Sequence, residues 1–201
     1  MHSHRAIGFA TAVLIVGACS DATGTPGTQP VVIDGLRGQH EWDDATSVQA
    51  FSGATFLYKT VDENLYLALE VSDATLTDAD VFLVRFDNTR NGTFDENEDQ
   101  LSVTGTGAYV DAHSSQGFWG FPDEQSDGAA AVRAAGGTNF FEIVHPLMST
   151  DAQDFNLAKG DVVGYCIVYF KDGTATGLTT YPRDCQLAGS DLSGYAPLNV
   201  K

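Results

Sequence analysis

An all-β chain, two antiparallel sheets packed as a single-domain sandwich, is what this sequence predicts, and three observations carry the prediction. Short runs rich in Val, Leu, Ile, Phe and Tyr recur along residues 56–181, and clusters of Gly, Asp, Asn and Ser separate them. Two of these runs, 56–61 and 65–71, flank Asp62-Glu63-Asn64, the pattern of a hairpin. No stretch of a dozen residues shows the three-and-four apolar spacing of an amphipathic helix. Further strands are expected at 81–86, 100–104, 129–134, 139–145, 162–170 and 177–181.

The chain opens on a short basic start, Met1-His2-Ser3-His4-Arg5, followed by an apolar run to Val16 that is too short for a permanent membrane span. Val16-Gly17-Ala18-Cys19 comes next and resembles the lipobox of bacterial lipoproteins. That resemblance implies a signal peptide at 1–18, lipid on Cys19 and export. Ser20, in place of Asp, favours the outer membrane by the same resemblance. An ordinary secretory signal cut elsewhere is the alternative. Residues 19–30, rich in Gly, Pro and Thr, read as a flexible tether. Residues 31–201 are of a length usual for one domain with its own core.

The formal charge is −17, from 10 basic and 27 acidic residues. Removing the leader takes away Arg5 and no acid, which gives −18. So acidic a surface excludes nucleic acid and anionic lipid head groups as natural partners, since both are bound through basic patches. The membrane is then reached through the lipid anchor alone. Of three cysteines, Cys19 goes to lipid. Cys166 and Cys185 remain as an even pair in an oxidising compartment, where a disulfide is the default.

Residues 87–98 carry oxygen-bearing side chains at the intervals of a calcium loop. Asp87 stands first, Thr89 third, Asn91 fifth, Gly92 sixth, Thr93 seventh, Asp95 ninth and Glu98 twelfth, with only Thr89 departing from the pattern. Asp99, the next residue, can make up the charge that threonine does not bring. Both flanks read as strands, so the loop is expected to be a structural Ca2+ turn between strands, of roughly millimolar to sub-millimolar affinity. An acidic hairpin closed by Asn91-Gly92 is the alternative. Asn91-Gly92-Thr93 also spells a glycosylation sequon, which a bacterial lipoprotein would not normally use. Asp73, Asp78 and Asp80 read as a solvated acidic turn, with a secondary ion site as the alternative.

Residues 117–122, Gly-Phe-Trp-Gly-Phe-Pro, form a glycine-bounded aromatic loop. Its Trp119, with Phe118 and Phe121, is the candidate ligand platform, because a pyranose offers an apolar face to an aromatic ring and hydroxyls to nearby polar groups. The same aromatics can instead cap one end of the core. Trp42 is expected to pack.

In order along the chain, Ile33-Asp34-Gly35, Glu41-Trp42-Asp43-Asp44-Ala45, the 65–71 strand, the 87–99 loop and Phe141-Glu142-Ile143-Val144-His145-Pro146-Leu147 resemble family 9 carbohydrate-binding modules and the related DOMON-like domains. The resemblance spans residues 33–200 and implies a two-sheet antiparallel sandwich of jelly-roll or DOMON-like type, commonly with structural calcium. It includes sugar binders and haem binders. A haem would need two axial ligands; His145 and Met148 are available, but they stand too close in sequence to take opposite faces readily. The motifs of Ser hydrolases, zinc proteases and phosphate loops are absent, so no enzyme is expected. The reading is an exported, calcium-stabilised module binding a glycan or another extracellular ligand. A structural or assembly lipoprotein that contacts an envelope protein is the alternative.

Overall fold

The computed structural model describes residues 31–185 and 191–201. Cys19, the 1–18 leader and the 19–30 tether lie outside the described residues. Twelve strands build the described chain: β1 Thr46–Phe51, β2 Ala54–Val61, β3 Asn64–Val71, β4 Val81–Asp87, β5 Asp99–Thr104, β6 Tyr109–Ser115, β7 Phe118–Pro122, β8 Ala129–Ala135, β9 Thr138–Pro146, β10 Val162–Phe170, β11 Leu178–Tyr181 and β12 Ala196–Asn199. One sheet runs β1-β2-β3-β9-β8 and the other β11-β10-β4-β5-β6-β7, with β12 pairing β10 beyond the reach of β11. Every pairing is antiparallel. The expected sandwich is observed.

The eight expected strands are present, with ends moved by a residue or two. The sequence reading missed β1, β6 and β12, whose Gln49, Asp111, Ser114 and Pro197 interrupt the apolar pattern. Residues 117–122 are a loop by sequence, and here the structure differs. Phe118–Pro122 form edge strand β7, which suits Pro122 because an edge position spares proline's missing donor.

Strand alternation builds the core. Ala54, Phe56 and Tyr58 of β2, Leu65, Leu67 and Leu69 of β3, and Phe141 and Ile143 of β9 face Phe82, Val84 and Phe86 of β4 and Tyr165, Ile167 and Tyr169 of β10. Aromatic rings bridge the layers, for example Phe56 to Tyr165 at 5.2 Å between centroids. Fully burying each such side chain is worth about 1.5–3 kcal/mol, which makes this layer the main source of stability.

Strands β2, β3 and β9 are apolar on their outer face too, because the 31–45 segment covers them. Val31 and Trp42 pack there on Leu57, Val61, Tyr66, Ala68 and Phe140. Glu142, fully buried on that face, accepts hydrogen bonds from the backbone N–H of Asp34 at 3.0 Å, that of Gly35 at 2.8 Å, and Trp42 Nε1 at 3.2 Å. Gly35 sits at φ +78°, and a Cβ there would come within 2.6 Å of the Val132 carbonyl carbon, so only glycine fits. Lys59 Nζ fixes the same segment by donating to Glu41 O at 2.5 Å and Asp44 Oδ1 at 3.0 Å.

The Cys166–Cys185 disulfide forms, with Cα atoms 5.9 Å apart, and ties the segment after β11 to central β10 on the outer face of the other sheet. Asp80, expected to be solvated, is buried. Its carboxylate accepts from Thr77 N, Thr77 Oγ1 and Asp172 N, while Asp73 pairs with Lys171 at 2.7 Å. Protein donors hold this acidic turn.

Candidate functional site

Alternation along β4 sends Phe82, Val84 and Phe86 into the core, so Leu83, Arg85 and Asp87 project from the opposite face. Gln100 of β5 stands opposite Arg85 in the ladder, and Arg85 Nε donates to its Oε1 at 3.0 Å. The Arg85 guanidinium lies over the ring of Trp119 from β7, with Cζ 5.0 Å from the ring centroid. Phe94, carried by the 87–98 loop, meets the same ring edge-on at 5.0 Å and 76°. A guanidinium, an amide and two aromatic rings thus converge on the outer face of one sheet.

Trp119 is half-buried, and neither it nor Phe118 nor Phe121 joins the buried core. The core-cap alternative for these residues therefore fails. The three do not form a single face, however. Phe118 is 70% exposed, and Phe121 lies against His113 of β6 at 6.1 Å. Trp119 is the one held in a defined polar setting. Burial lowers the Arg85 pKa, yet an arginine stays charged at any physiological pH.

The 87–98 loop adjoins this patch. Asp87 Oδ1 accepts from Asn91 N at 3.1 Å and Oδ2 from Gly92 N at 2.9 Å, which curls the chain into the turn that Gly92 completes at φ +75°. Asn91 Nδ2 donates to Asp95 Oδ2 at 2.7 Å, and Asn91 Oδ1 accepts from Thr93 N at 2.7 Å. Glu98 Oε2 takes the Asn88 N–H at 2.5 Å, while its Oε1 is buried without a protein partner. Burial first, then the negative charges of Asp87 and Asp95, push the Glu98 carboxyl up to about 7 against the opposing Asn88 bond. Glu98 Oε1 is thus a buried carboxylate oxygen without a protein partner, while among the described residues the carboxylates of Asp87, Asp95 and Glu98 do not bring ligand atoms within 4.8 Å of one another. Asp87, Asn91, Asp95 and Glu98, with the carbonyl of Thr93, are the groups that would hold Ca2+, which would supply charge neutralisation. Thr89 makes none of these loop bonds. The Asp99 side chain turns away from Glu98 into the interior, toward His145 and Asp154.

Beside the loop, Asp87, Asn91, Gly92, Ser193 and Tyr195 line an open polar recess of about 260 Å³. Leu192 N donates to Gly92 O at 3.0 Å, tying the 191–195 segment to the loop. His145 is fully buried, whereas Met148 is 69% exposed, so the two do not form an axial pair. Arg85, Gln100 and Phe94 escaped the sequence reading. Arg85 alone carried a signal, as the one charge inside the 81–86 run.

No protein-family model matches the sequence, and no curated protein matches it. Among solved structures, the chain is similar to a family 9 carbohydrate-binding module from Caldicellulosiruptor kristjanssonii in complex with glucose, with a TM-score of 0.58 and 13% identity over 87% of this chain and 93% of that one. A family 9 module from the same organism in complex with cellotriose gives a TM-score of 0.58 and 13% identity, covering 87% and 91% of the two chains. At that identity the likeness establishes the shared two-sheet fold.

Proposed function

We propose that this chain is a non-catalytic binding module whose ligand is a carbohydrate, engaged on the outer face of the β4-β5-β7 sheet. The observation that carries the reading is the Arg85–Gln100–Trp119 constellation: one aromatic ring fixed beside a guanidinium and an amide on an otherwise acidic protein. A sugar's C–H face would stack on Trp119, and its hydroxyls would exchange hydrogen bonds with Gln100 and Arg85. Phe94 steadies the ring, so the loop that presents it tunes the site from outside. The fold it shares with family 9 modules that bind glucose and cellotriose supports a gluco-oligosaccharide as the first ligand to try.

Calcium in the 87–98 loop, through Asp87, Asn91, Thr93, Asp95 and Glu98, would hold Phe94 in register with Trp119. Lipid on Cys19 would tether the module at the outer membrane, within reach of extracellular glycans. Calorimetric titration with cello-oligosaccharides tests the binding reading. Heat and saturation that vanish in Trp119→Ala, with the fold intact, are expected; silence across a glycan array would overturn it.

A further inference from the structure

The interior of the sandwich contains a second set of charges, far more enclosed than the 87–98 loop. Asp99 of β5, Asp111 of β6, His145 of β9 and Asp154 of the β9–β10 connection converge between the sheets, each no more than 6% exposed. The side chain of Asp123, just after β7, is enclosed with them. Asp99 Oδ1, Asp111 Oδ1, Asp123 Oδ2, both carboxylate oxygens of Asp154 and His145 Nε2 are buried without a hydrogen-bond partner. Four carboxylates face two imidazoles there. His113 is committed to Asp123 at 2.5 Å, and His145 approaches Asp111 and Asp154 at 3.6 and 3.8 Å. With all four carboxylates ionised and both imidazoles protonated, two negative charges would stay uncompensated in a medium where one alone costs several kcal/mol, so the cluster calls for a bound cation or bound protons.

The geometry is that of ligands around an ion. The 3.6 and 3.8 Å separations are too long for hydrogen bonds. Ligand atoms of Asp99, His145 and Asp154 nevertheless all lie within 4.8 Å of one another. Atoms about 2.1 Å from one metal stand roughly 3–4 Å apart, so the side chains need close in by no more than about 1 Å to share an ion. His145 Nδ1 donates to Pro146 O at 2.7 Å, so in the neutral ring it is Nε2 that carries the lone pair, and this atom faces Asp111 and Asp154. Metal-binding histidines are oriented in this way by a carbonyl on the far nitrogen. The carboxylates are braced likewise: Asp99 Oδ2 accepts from Phe155 N at 3.3 Å, and Asp111 Oδ2 from Tyr109 Oη at 3.0 Å and Asp127 N at 3.1 Å. In both residues the braced oxygen leaves Oδ1 free.

We propose that Asp99, His145 and Asp154 bind a divalent first-row transition cation of the zinc or manganese class, with Asp111 and Asp123 completing its charge balance. An imidazole among carboxylates selects such ions over calcium, which prefers oxygen throughout. The site joins β5, β9 and the 147–161 connection, so the ion closes one end of the sandwich. It rests on none of the residues assigned to the sugar face.

The test uses the purified full chain, assayed for bound metal as isolated, then stripped with chelator and titrated separately with Zn2+, Mn2+, Co2+ and Ca2+. At least one equivalent of Zn2+ or Mn2+ is expected to bind and raise Tm, and Co2+ to give visible d–d bands. His145→Gln should weaken binding at least tenfold and change those bands. Should it fail to fold, Asp154→Asn serves: it keeps the side-chain shape, removes one charge, and is expected to lose the metal-induced rise in Tm while its stripped form is no less stable than stripped wild type. Glu98→Gln should leave the Zn2+ or Mn2+ response intact. The proposal is overturned if Tm is indifferent to chelator and to all three transition ions, the result expected if protons alone neutralise the cluster. It is equally overturned if His145→Gln binds as tightly as wild type, or if Ca2+ alone responds and Glu98→Gln abolishes that response.

Discussion

Trp42 Nε1 donates to Glu142 Oε1 at 3.2 Å across 100 residues of sequence, so one buried carboxylate fastens the first part of the domain to the centre of β9. The backbone N–H groups of Asp34 and Gly35 share its other oxygen. Burial pushes the Glu142 carboxyl up to about 7, against the downward pull of those three donors.

This shift has a definite sign in stability. In the unfolded chain a glutamate titrates near about 4.3. Between that value and about 7 the folded form holds more protons, so stability is greatest below the window and falls as pH rises through it. The contribution is on the order of 3 kcal/mol. Urea denaturation of wild type and Glu142→Gln from pH 4 to 8 isolates it, because the other buried acids are common to both. The wild-type curve should carry an extra decline with rising pH that the variant lacks; parallel curves would refute the assignment.

Removing the Trp119 ring should abolish sugar binding at little cost in stability. The residue is half-buried on an edge strand, and its contacts with Arg85 and Phe94 are worth about 0.5–1.5 kcal/mol each. Trp119→Ala is expected to lose at least tenfold in affinity with Tm shifted by only a few degrees. Phe94→Ala should lose less affinity, since it supports the ring without forming the platform.

Calcium should raise Tm, and Glu98→Gln should separate binding from repulsion. At tenfold excess over Kd the ion adds about 1.4 kcal/mol. Without calcium the variant should be at least as stable as wild type, because it relieves the charge that Asp87 and Asp95 oppose. With calcium the order should reverse. Differential scanning fluorimetry in chelator and in calcium reads both; a calcium response that survives in Glu98→Gln would remove this residue from the site.

The Cys166–Cys185 bridge closes a loop of 19 residues by sequence separation, which predicts a stabilisation of about 3 kcal/mol. Replacing both cysteines by alanine should lower the denaturation midpoint accordingly. Sugar binding should persist, because the bridge lies in the apolar cluster with Leu83 and Val168 rather than beside Trp119.

The amino-acid sequence carries the all-β sandwich, eight of its strands and the spacing of the 87–98 loop, because these depend on periodicity and on turn chemistry between near neighbours. It also made the disulfide the default, from an even pair of cysteines. Tertiary structure decided which side chains meet. Arg85 reaches Trp119 because β4, β5, β6 and β7 lie side by side in the sheet, and no local pattern announces that neighbourhood. Asp99 shows the division most clearly. Its place after Glu98 suggested the calcium loop, but a strand alternates faces at each residue, and entry into β5 turns its carboxylate inward to His145 and Asp154.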